Sequence, residues 1–440
     1  MQKKTWIRSL VASSMACMLP GVAMAAEEGE PALNGADVGF MAFAALMVFF
    51  MTPALGFFYG GMVRRKNVLN TIMMSLAAIG IIGVQWIIFG YSLCFGTDIG
   101  GIIGGMDWFG FSGVGLAINA DLAGSIPHVE FAVFQMMFAV ITAAIISGSI
   151  AERVNFPAYC LIILLWTTLV YDPLCHMVWA AGGVIFNMGA LDFAGGTVIH
   201  ISSGVSGLVA ALLIGRRYGY GSVDMIPHNV PYIILGGGIV WMGWFGFNSG
   251  CALGANDIMV LAFANTAASS FASILTWMLL DYGINKKVTL FGSVTGGIAG
   301  LVGVTPAAGF VECWAAMIIG VVTAVVCFFA ITFVKARLGY DDALDAFGCH
   351  GVGGICGAVL TGVFATTSVN PAGADGLIYG NAAQMVPQVV GVLTSICVAV
   401  VMTLLICKVV SCIVPLRVPA DIEKAGLDIS QHGESAYRKL

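Results

Sequence analysis

The chain has 440 residues, of which 59% are hydrophobic and only 9% charged, with a formal net charge of −5. Soluble domains carry roughly 25% charged residues, so this composition excludes an ordinary soluble protein. It predicts an all-α protein that crosses a membrane many times. The 58 glycines suit this class, because small residues let helices approach closely in lipid. The 12 cysteines form no CxxC pair, which favours simple packing over a metal cluster.

The first 25 residues, MQKKTWIRSLVASSMACMLPGVAMA, are typical of a secretory signal. A basic start with Lys3 and Lys4 precedes an apolar run, and small residues end the stretch before an acidic segment. We therefore predict a cleaved signal peptide over residues 1–25. The alternative, an uncleaved extra span, is disfavoured because the apolar run is short and contains Pro20.

The rest of the chain alternates between long apolar segments and short polar ones. A helix of about 20 apolar residues crosses a bilayer, and the sequence predicts eleven such transmembrane helices. They lie near residues 38–63, 68–95, 128–150, 156–175, 197–215, 229–251, 258–282, 288–305, 311–334, 347–366 and 386–411. We expect a membrane domain over residues 26–412 and a cytoplasmic tail over residues 413–440.

Positive charges are distributed asymmetrically between the predicted loops. Lys and Arg residues occur in alternate connections, near residues 64–66, 153, 216–217, 286–287 and 335–337, and again from residue 408 onward. The intervening connections, 96–127, 176–196, 252–257, 306–310 and 367–385, contain none. Cytoplasmic loops are the ones enriched in Lys and Arg. The pattern predicts an external N-terminus and a cytoplasmic C-terminus, which requires an odd number of spans.

The fifth and tenth predicted spans share the pattern H-x3-G-x2-G, which begins at His200 and at His350. Acidic residues precede both, Asp192 in one case and a group including Asp345 in the other. Eleven spans divide into five plus five plus one, and a five-helix unit that is duplicated must be inverted in the membrane. We therefore predict a five-plus-five inverted repeat with an extra C-terminal helix, in which the two histidines meet.

Only two of the six histidines, His200 and His350, fall inside predicted spans. A single such histidine is often a core residue bonded to a backbone carbonyl, but two at equivalent repeat positions favour a functional pair. Neutral imidazoles can bond to each other, and burial disfavours the charged form. A metal site is the rival interpretation. It is disfavoured because Cys349 is the only further ligand nearby.

Asp192 and several aromatic residues are placed near the outer ends of spans. We expect Asp192 to cap backbone N–H groups at the start of a helix, with attraction of cations as a secondary role. Asp345 is expected to cap the helix of His350 in the same way. Aromatic side chains that converge at one mouth could hold a small cation through their π faces. The candidates are Phe138, Trp179, Trp244, Phe245 and Phe247.

Several long motifs resemble the ammonium transporters of the Amt/Mep/Rh family. They are YDPLCHMVWAAGG, GALDFAGGTVIHISSGVSGLVAALLIG, GWFGFNSG, GLVGVTPAAGF and DDALDAFGCHGVGGICG, with GLDISQHGESAY in the tail. The resemblance runs from about residue 35 to the C-terminus. It implies eleven helices with the inverted repeat, a homotrimer with one pore per subunit, and the bacterial cytoplasmic membrane as location. Similarity to bacterial members also suggests regulation by a PII-type protein at the cytoplasmic face.

The resemblance assigns roles to particular residues. It implies that His200 and His350 line the pore and that Phe138 and Phe247 stack as an outer gate. Trp179 and Phe138 match the walls of the external ammonium site, Asp192 matches the acidic residue below it, and Trp244 matches a structural aromatic. Cys251 occupies a position of this site where many bacterial members have serine. Because a thiol is a poorer hydrogen-bond acceptor than a hydroxyl, binding there should depend more on the aromatic rings.

The predicted function is ammonium transport without a cofactor. Ammonium would be held outside, lose its proton and cross as ammonia past the histidines, because a dehydrated cation is very costly in a low-dielectric path. A sensor acting through a partner, an ion-coupled transporter of another small amine and a membrane enzyme are the alternatives. The enzyme is disfavoured because the sequence has no nucleophile–base motif and no metal spacing such as HExxH.

Overall fold

The computed structural model describes residues 32–437, so the predicted signal peptide lies outside the described residues. Ten helices in this part of the chain are long and apolar enough to cross a membrane. With one shorter apolar helix, α8, the bounds are α1 Gly35–Met62, α2 Arg65–Phe95, α3 His128–Ile150, α4 Phe156–Asn187, α5 Gly196–Ile214, α6 Val230–Gly250, α7 Asp257–Asn285, α8 Leu290–Val304, α9 Cys313–Leu338, α10 Phe347–Phe364 and α11 Ala382–Ser411.

The helix predicted near residues 288–305 is shorter than a full span. It is α8, with 15 residues, about 22 Å long at 1.5 Å per residue. Two short helices, α12 Ala420–Ala425 and α13 Leu427–His432, belong to the tail. Two small antiparallel hairpins lie between α2 and α3: β1 Asp98–Ile99 with β2 Ile103–Gly104, and β3 Ile118–Asn119 with β4 Ala123–Pro127.

Polar side chains mark where several of the helices begin. The side-chain oxygens of Asn229, Asn256 and Thr289 accept backbone N–H groups in the first turns of α6, α7 and α8, at 3.0–3.1 Å. Such caps satisfy amides that have no partner inside the helix. In these three apolar helices, the capping side chains mark the first residues better than any amphipathic pattern does.

Helices α5 and α10 cross at their glycines and run in opposite directions there. A Cβ added at Gly204 would overlap the backbone of Gly351, and one at Gly354 would lie 3.0 Å from the Cβ of His200 and 3.1 Å from Ile201. Residue numbers thus rise along α5 as they fall along α10. Both helices also begin with a wider π-helical stretch, Gly196–Ile201 and Phe347–Gly351. Only glycine permits this approach, so the repeated glycines of the sequence form the crossing.

Charged residues gather at one end of the bundle in a buried network, here called the Arg217 cluster: Arg64, Glu152, Arg153, Arg217 and Asp341. Arg217 pairs with Asp341 at 2.8 Å and with Glu152 at 2.9 Å, and Arg64 pairs with Glu152 at 2.9 Å. Burial opposes ionisation of Glu152, but Arg217 and Arg64 outweigh it and lower the pKa of that carboxyl. The cluster therefore joins the ends of several helices through paired charges.

The C-terminal tail packs on the same end of the bundle. Asp428 accepts the N–H of Asn70 at 2.9 Å, and the side chain of Asn67 accepts the N–H of Leu427 at 2.9 Å. Glu423, fully buried, pairs with Arg417 at 2.7 Å. The tail is thus bound to the start of α2 through several backbone and side-chain hydrogen bonds.

Candidate functional site

The two intramembrane histidines are in contact where α5 and α10 cross. The Nδ1 atoms of His200 and His350 lie 3.2 Å apart, and the ring centroids are 5.2 Å apart with the planes inclined by 28°. Both residues are buried, with 1% and 6% of their surfaces exposed. Below, the two rings are called the histidine pair.

A hydrogen bond between two ring nitrogens requires one to donate and the other to accept. One proton between two Nδ1 atoms is consistent with two neutral imidazoles. The Nε2 atom of His200 is buried and has no hydrogen-bond partner among residues 32–437. An unpaired buried nitrogen costs free energy, so a site that retains one is ready to bond a passing polar molecule.

The histidine pair borders two adjoining cavities. The first has an empty volume of about 380 Å³ and is lined by Met51, Leu55, Phe58, Ile141, Ile145, Ile199, His200, Val240, Trp244, Phe247, Ile298 and His350. The second, of about 320 Å³, shares Phe58, Ile298 and His350 with the first and reaches Asp345. Apart from the two imidazoles, the first cavity is lined by apolar and aromatic side chains. These side chains do not replace the solvation free energy that a cation loses when it leaves water.

An aromatic cluster formed by Phe138, Trp179 and Phe247 lies beside the first cavity. The ring centroids of Phe138 and Phe247 are 4.4 Å apart, with the planes inclined by 38°. Trp179 meets Phe138 edge to face at 6.3 Å, and its indole N–H donates to the carbonyl of Asp192 at 2.8 Å. The residues that the resemblance assigns to the outer site and gate are therefore neighbours, while their roles stay predictions.

Trp244 connects the aromatic cluster to the histidine pair. Its ring stacks on His200 at 5.3 Å, and its N–H donates to the hydroxyl of Thr305 at 2.9 Å. Phe245, which the sequence grouped with these aromatics, instead packs against Phe263 on α7 at 4.6 Å. Phe245 therefore lies outside the aromatic cluster, because consecutive positions of a helix face different neighbours.

Cys251 is buried just beyond the end of α6. Its thiol lies 3.4 Å from the carbonyl oxygen of Phe247, one turn earlier, to which it donates. The hydroxyl of Ser249 bonds the carbonyl of Phe245 in the same manner. Both side chains therefore bond their own helix, and Cys251 retains only a weak sulfur acceptor for a ligand.

Asp192 serves as a cap, as the sequence predicted. Its carboxylate accepts the backbone N–H groups of Gly195, Gly196 and Thr197 at 2.6–2.9 Å, and also the hydroxyl of Thr197. These bonds hold the π-helical start of α5, which carries His200. Whether the carboxylate also favours ammonium stays a prediction.

The cap of α10 differs from the one predicted. Asp342, not Asp345, accepts the N–H of Phe347 at 2.8 Å and that of Gly348 at 3.3 Å. Asp345 pairs instead with Lys335 at 2.5 Å. Asp342 precedes His350 by eight residues, as Asp192 precedes His200, so the similarity between the two segments extends to the caps.

Several cavity residues were not found from the sequence. Met51, Leu55 and Phe58 face the cavity from one side of α1, at helical spacing. In a helix that is apolar all round, this spacing does not indicate which side faces the cavity.

Metal ligands are not grouped in the described part of the chain. Residues 32–437 contain no group of three or more His, Cys, Asp or Glu side chains arranged to hold an ion.

The sequence and the structure are similar to those of known proteins. Residues 39–437 match the Ammonium Transporter Family. An ammonium transporter of Bacillus subtilis (strain 168) is 50% identical over 402 residues, covering 91% of this chain and 98% of that protein. The structure of Saccharomyces cerevisiae Mep2 is similar with a TM-score of 0.84 at 37% identity, covering 92% of each chain. A structure described as a sensor Amt protein has a TM-score of 0.83 at 28% identity, covering 90% of this chain and 98% of that one.

Proposed function

Because the chain belongs to the ammonium transporter family, we propose that it carries ammonium across a membrane by holding the cation at the aromatic cluster and conducting ammonia past the histidine pair. The observation that supports this most is the unpaired Nε2 of His200 beside an otherwise apolar cavity. That nitrogen offers one hydrogen bond to a small polar molecule and little stabilisation to a bare cation.

Ammonium binds first at the aromatic cluster. The faces of Trp179 and Phe138 attract the cation, and Cys251 adds a weak sulfur contact. Asp192, whose oxygens are already bonded to backbone N–H groups, contributes negative charge from below. Phe138 and Phe247, with centroids 4.4 Å apart, form the gate that separates this site from the cavity.

Deprotonation accompanies passage through the gate, and the proton either returns to the external water or moves inward along the imidazoles of the histidine pair. A cation that leaves water for an apolar path loses several kcal/mol of solvation or more, whereas ammonia loses far less. His200 and His350 then hydrogen-bond the ammonia in turn. Potassium has no proton to lose, so the same step excludes it although it is close to ammonium in size.

The internal repeat supports a specific topology for the transporter. Equivalent caps at Asp192 and Asp342, equivalent π-helical starts and an antiparallel crossing favour the five-plus-five inverted repeat, with α11 as the extra helix. In this arrangement α8 completes eleven spans. The Arg217 cluster then lies on the cytoplasmic side, with an external N-terminus and a cytoplasmic C-terminus.

The same proposal includes processing, location and assembly. Residues 1–25 act as a cleaved signal peptide, residues 26–412 form the membrane domain and residues 413–440 the cytoplasmic tail. The resemblance to bacterial members implies a homotrimer in the cytoplasmic membrane and a PII-type regulatory partner.

A transport assay tests the central claim. Purified protein in proteoliposomes should take up methylammonium, and ammonium but not potassium should compete. Electrogenic current during uptake would mean that the proton crosses too, and uptake without current would mean that ammonia crosses alone. Absence of uptake in correctly folded, reconstituted protein would contradict the proposal.

A sensor is the second candidate, favoured by the similarity to the structure described as a sensor Amt protein. A pure sensor would bind methylammonium without transporting it. Binding measured in detergent, together with absent flux in proteoliposomes, would therefore select the sensor over the transporter.

A further inference from the structure

His176 lies one helical turn before Trp179 and is completely buried. Its Nδ1 is 2.8 Å from the carbonyl oxygen of Cys94 on α2, and its Nε2 is 2.9 Å from Oδ1 of Asp98 in β1. The imidazole is therefore clamped between a neighbouring helix and the β1–β2 hairpin.

The partners of the ring hold it from two sides. A carbonyl oxygen can only accept a hydrogen bond, so Nδ1 donates to Cys94. Oδ1 of Asp98 bonds Nε2 and also accepts the N–H of Gly101 at 2.8 Å, so one carboxylate oxygen joins His176 to the β1–β2 hairpin.

The clamp holds the segment that presents Trp179. The N–H of Ala180 donates to the carbonyl of His176 at 3.1 Å, which closes the helical turn that ends at Trp179, where α4 is interrupted before a final turn at Val184–Asn187. The chain then bends, and the N–H of Val184 donates to the carbonyl of Gly101 in the hairpin at 2.9 Å. A Cβ at Gly182 would lie 2.7 Å from the Cβ of Asp98, so the bend is fitted closely to the carboxylate.

Other titratable groups surround the clamp without replacing its bonds. Asp172 is bonded to Gln85 at 2.7 Å, Asp192 to backbone N–H groups, and Asp107 to the N–H of Thr97 at 2.7 Å.

We propose that His176, held between the carbonyl of Cys94 and the carboxylate of Asp98, is a positioning residue that fixes Trp179 in the external ammonium site. This inference rests on the proposed function, because it concerns the site where ammonium is first held. His176 and Asp98 affect the affinity for the cation, and they do not affect its passage past the histidine pair, His200 and His350.

A competing role for Asp98 predicts the opposite sign. A partly exposed carboxylate at the mouth could simply attract cations from solution. In that case removal of His176 would leave an unpaired negative charge and lower the apparent KM. If His176 positions Trp179, its removal raises the apparent KM.

The test measures methylammonium uptake in proteoliposomes for Asp98→Ala, His176→Gln and the control Asp121→Asn. Asp98→Ala removes the acceptor of both His176 and Gly101 at a partly exposed position, so it is suited to folding normally. Asp121→Asn removes one exposed carboxylate from the β3–β4 turn, in the same connection between α2 and α3 but outside the clamp. Size-exclusion profiles before reconstitution establish that each variant is intact.

We expect Asp98→Ala and His176→Gln to raise the apparent KM about tenfold, with Vmax within twofold of the parent and Asp121→Asn unchanged. An unchanged KM in Asp98→Ala, a lowered KM in His176→Gln, or a fall in Vmax alone would overturn the inference. If His176→Gln does not fold, the salt dependence of Asp98→Ala decides: a rise in KM that persists at high ionic strength supports positioning, and one that disappears means that Asp98 only attracts cations. Absence of uptake by the parent protein would instead overturn the proposed function, and this inference with it.

Discussion

The histidine pair and the Arg217 cluster both bury polar side chains between helices, but they satisfy them differently. In the Arg217 cluster, Arg217 forms ion pairs with both Asp341 and Glu152, at 2.8 and 2.9 Å. In the histidine pair, the rings bond each other at 3.2 Å while Nε2 of His200 has no partner within residues 32–437. Within the same residues, the Arg217 cluster has an unpaired nitrogen of its own, Nη2 of Arg64, but its carboxylates are ion-paired and serve stability. The unpaired nitrogen of His200 borders a cavity and is available to a moving ligand.

The largest expected effect is a loss of stability when Arg217 is replaced, without a loss of transport. Arg217→Met leaves Glu152 and Asp341 buried without their main counter-charge, and breaking a buried pair costs about 3–5 kcal/mol. We expect a clear fall in the melting temperature of the protein in detergent, with methylammonium flux per folded molecule maintained. Arg337→Met, at an exposed arginine of the same end, should leave the melting temperature unchanged. Equal melting temperatures for both variants would contradict a stabilising role.

The reverse result is expected at the histidine pair. His200→Leu removes a hydrogen-bonding group from the ammonia path, and an unsatisfied polar group costs about 1–3 kcal/mol. Methylammonium flux should therefore fall by roughly 5- to 150-fold, while the melting temperature changes little. His432→Gln, at a tail histidine bonded to Asn70, is the control. If flux and the exclusion of potassium are both unchanged, the assignment of His200 to the pore is wrong.

The close crossing of α5 and α10 positions the histidine pair. Gly204→Ala places a methyl group on the backbone of Gly351, and overpacking of this kind costs about 1–3 kcal/mol. We expect both a lower melting temperature and a lower flux, because His350 precedes Gly351 directly. Gly238→Ala adds the same methyl group on α6 where nothing lies within 4 Å, and it should be neutral or stabilising. Matching behaviour of the two variants would contradict the close crossing.

The smallest effect is expected at Cys251. Cys251→Ser replaces a weak acceptor by a hydroxyl, worth about 0.5–1 kcal/mol, so the apparent KM for methylammonium should fall by roughly two- to fivefold. The melting temperature should not change. Cys397→Ser, at an exposed thiol on α11, controls for the loss of sulfur. An unchanged KM would mean that position 251 makes no polar contact with the cation.

Composition and motif spacing predicted much of this protein, including the membrane class, the positions of most helices and the candidate pair at His200 and His350. These features are local, because apolar length defines a span and the repeated H-x3-G-x2-G pattern appears within single helices. Asp192 as a cap was also readable, since a cap bonds amides three to five residues ahead.

Only the tertiary structure decided which residues meet. It selected Asp342 over Asp345 as the cap of α10, brought Phe58 and Ile298 to the cavity, and joined His176 to Asp98. The physical reason is that helices in an apolar chain show no polar face to indicate how they rotate. Close glycine contacts and long-range hydrogen bonds set that rotation, and they depend on atoms far apart in the sequence.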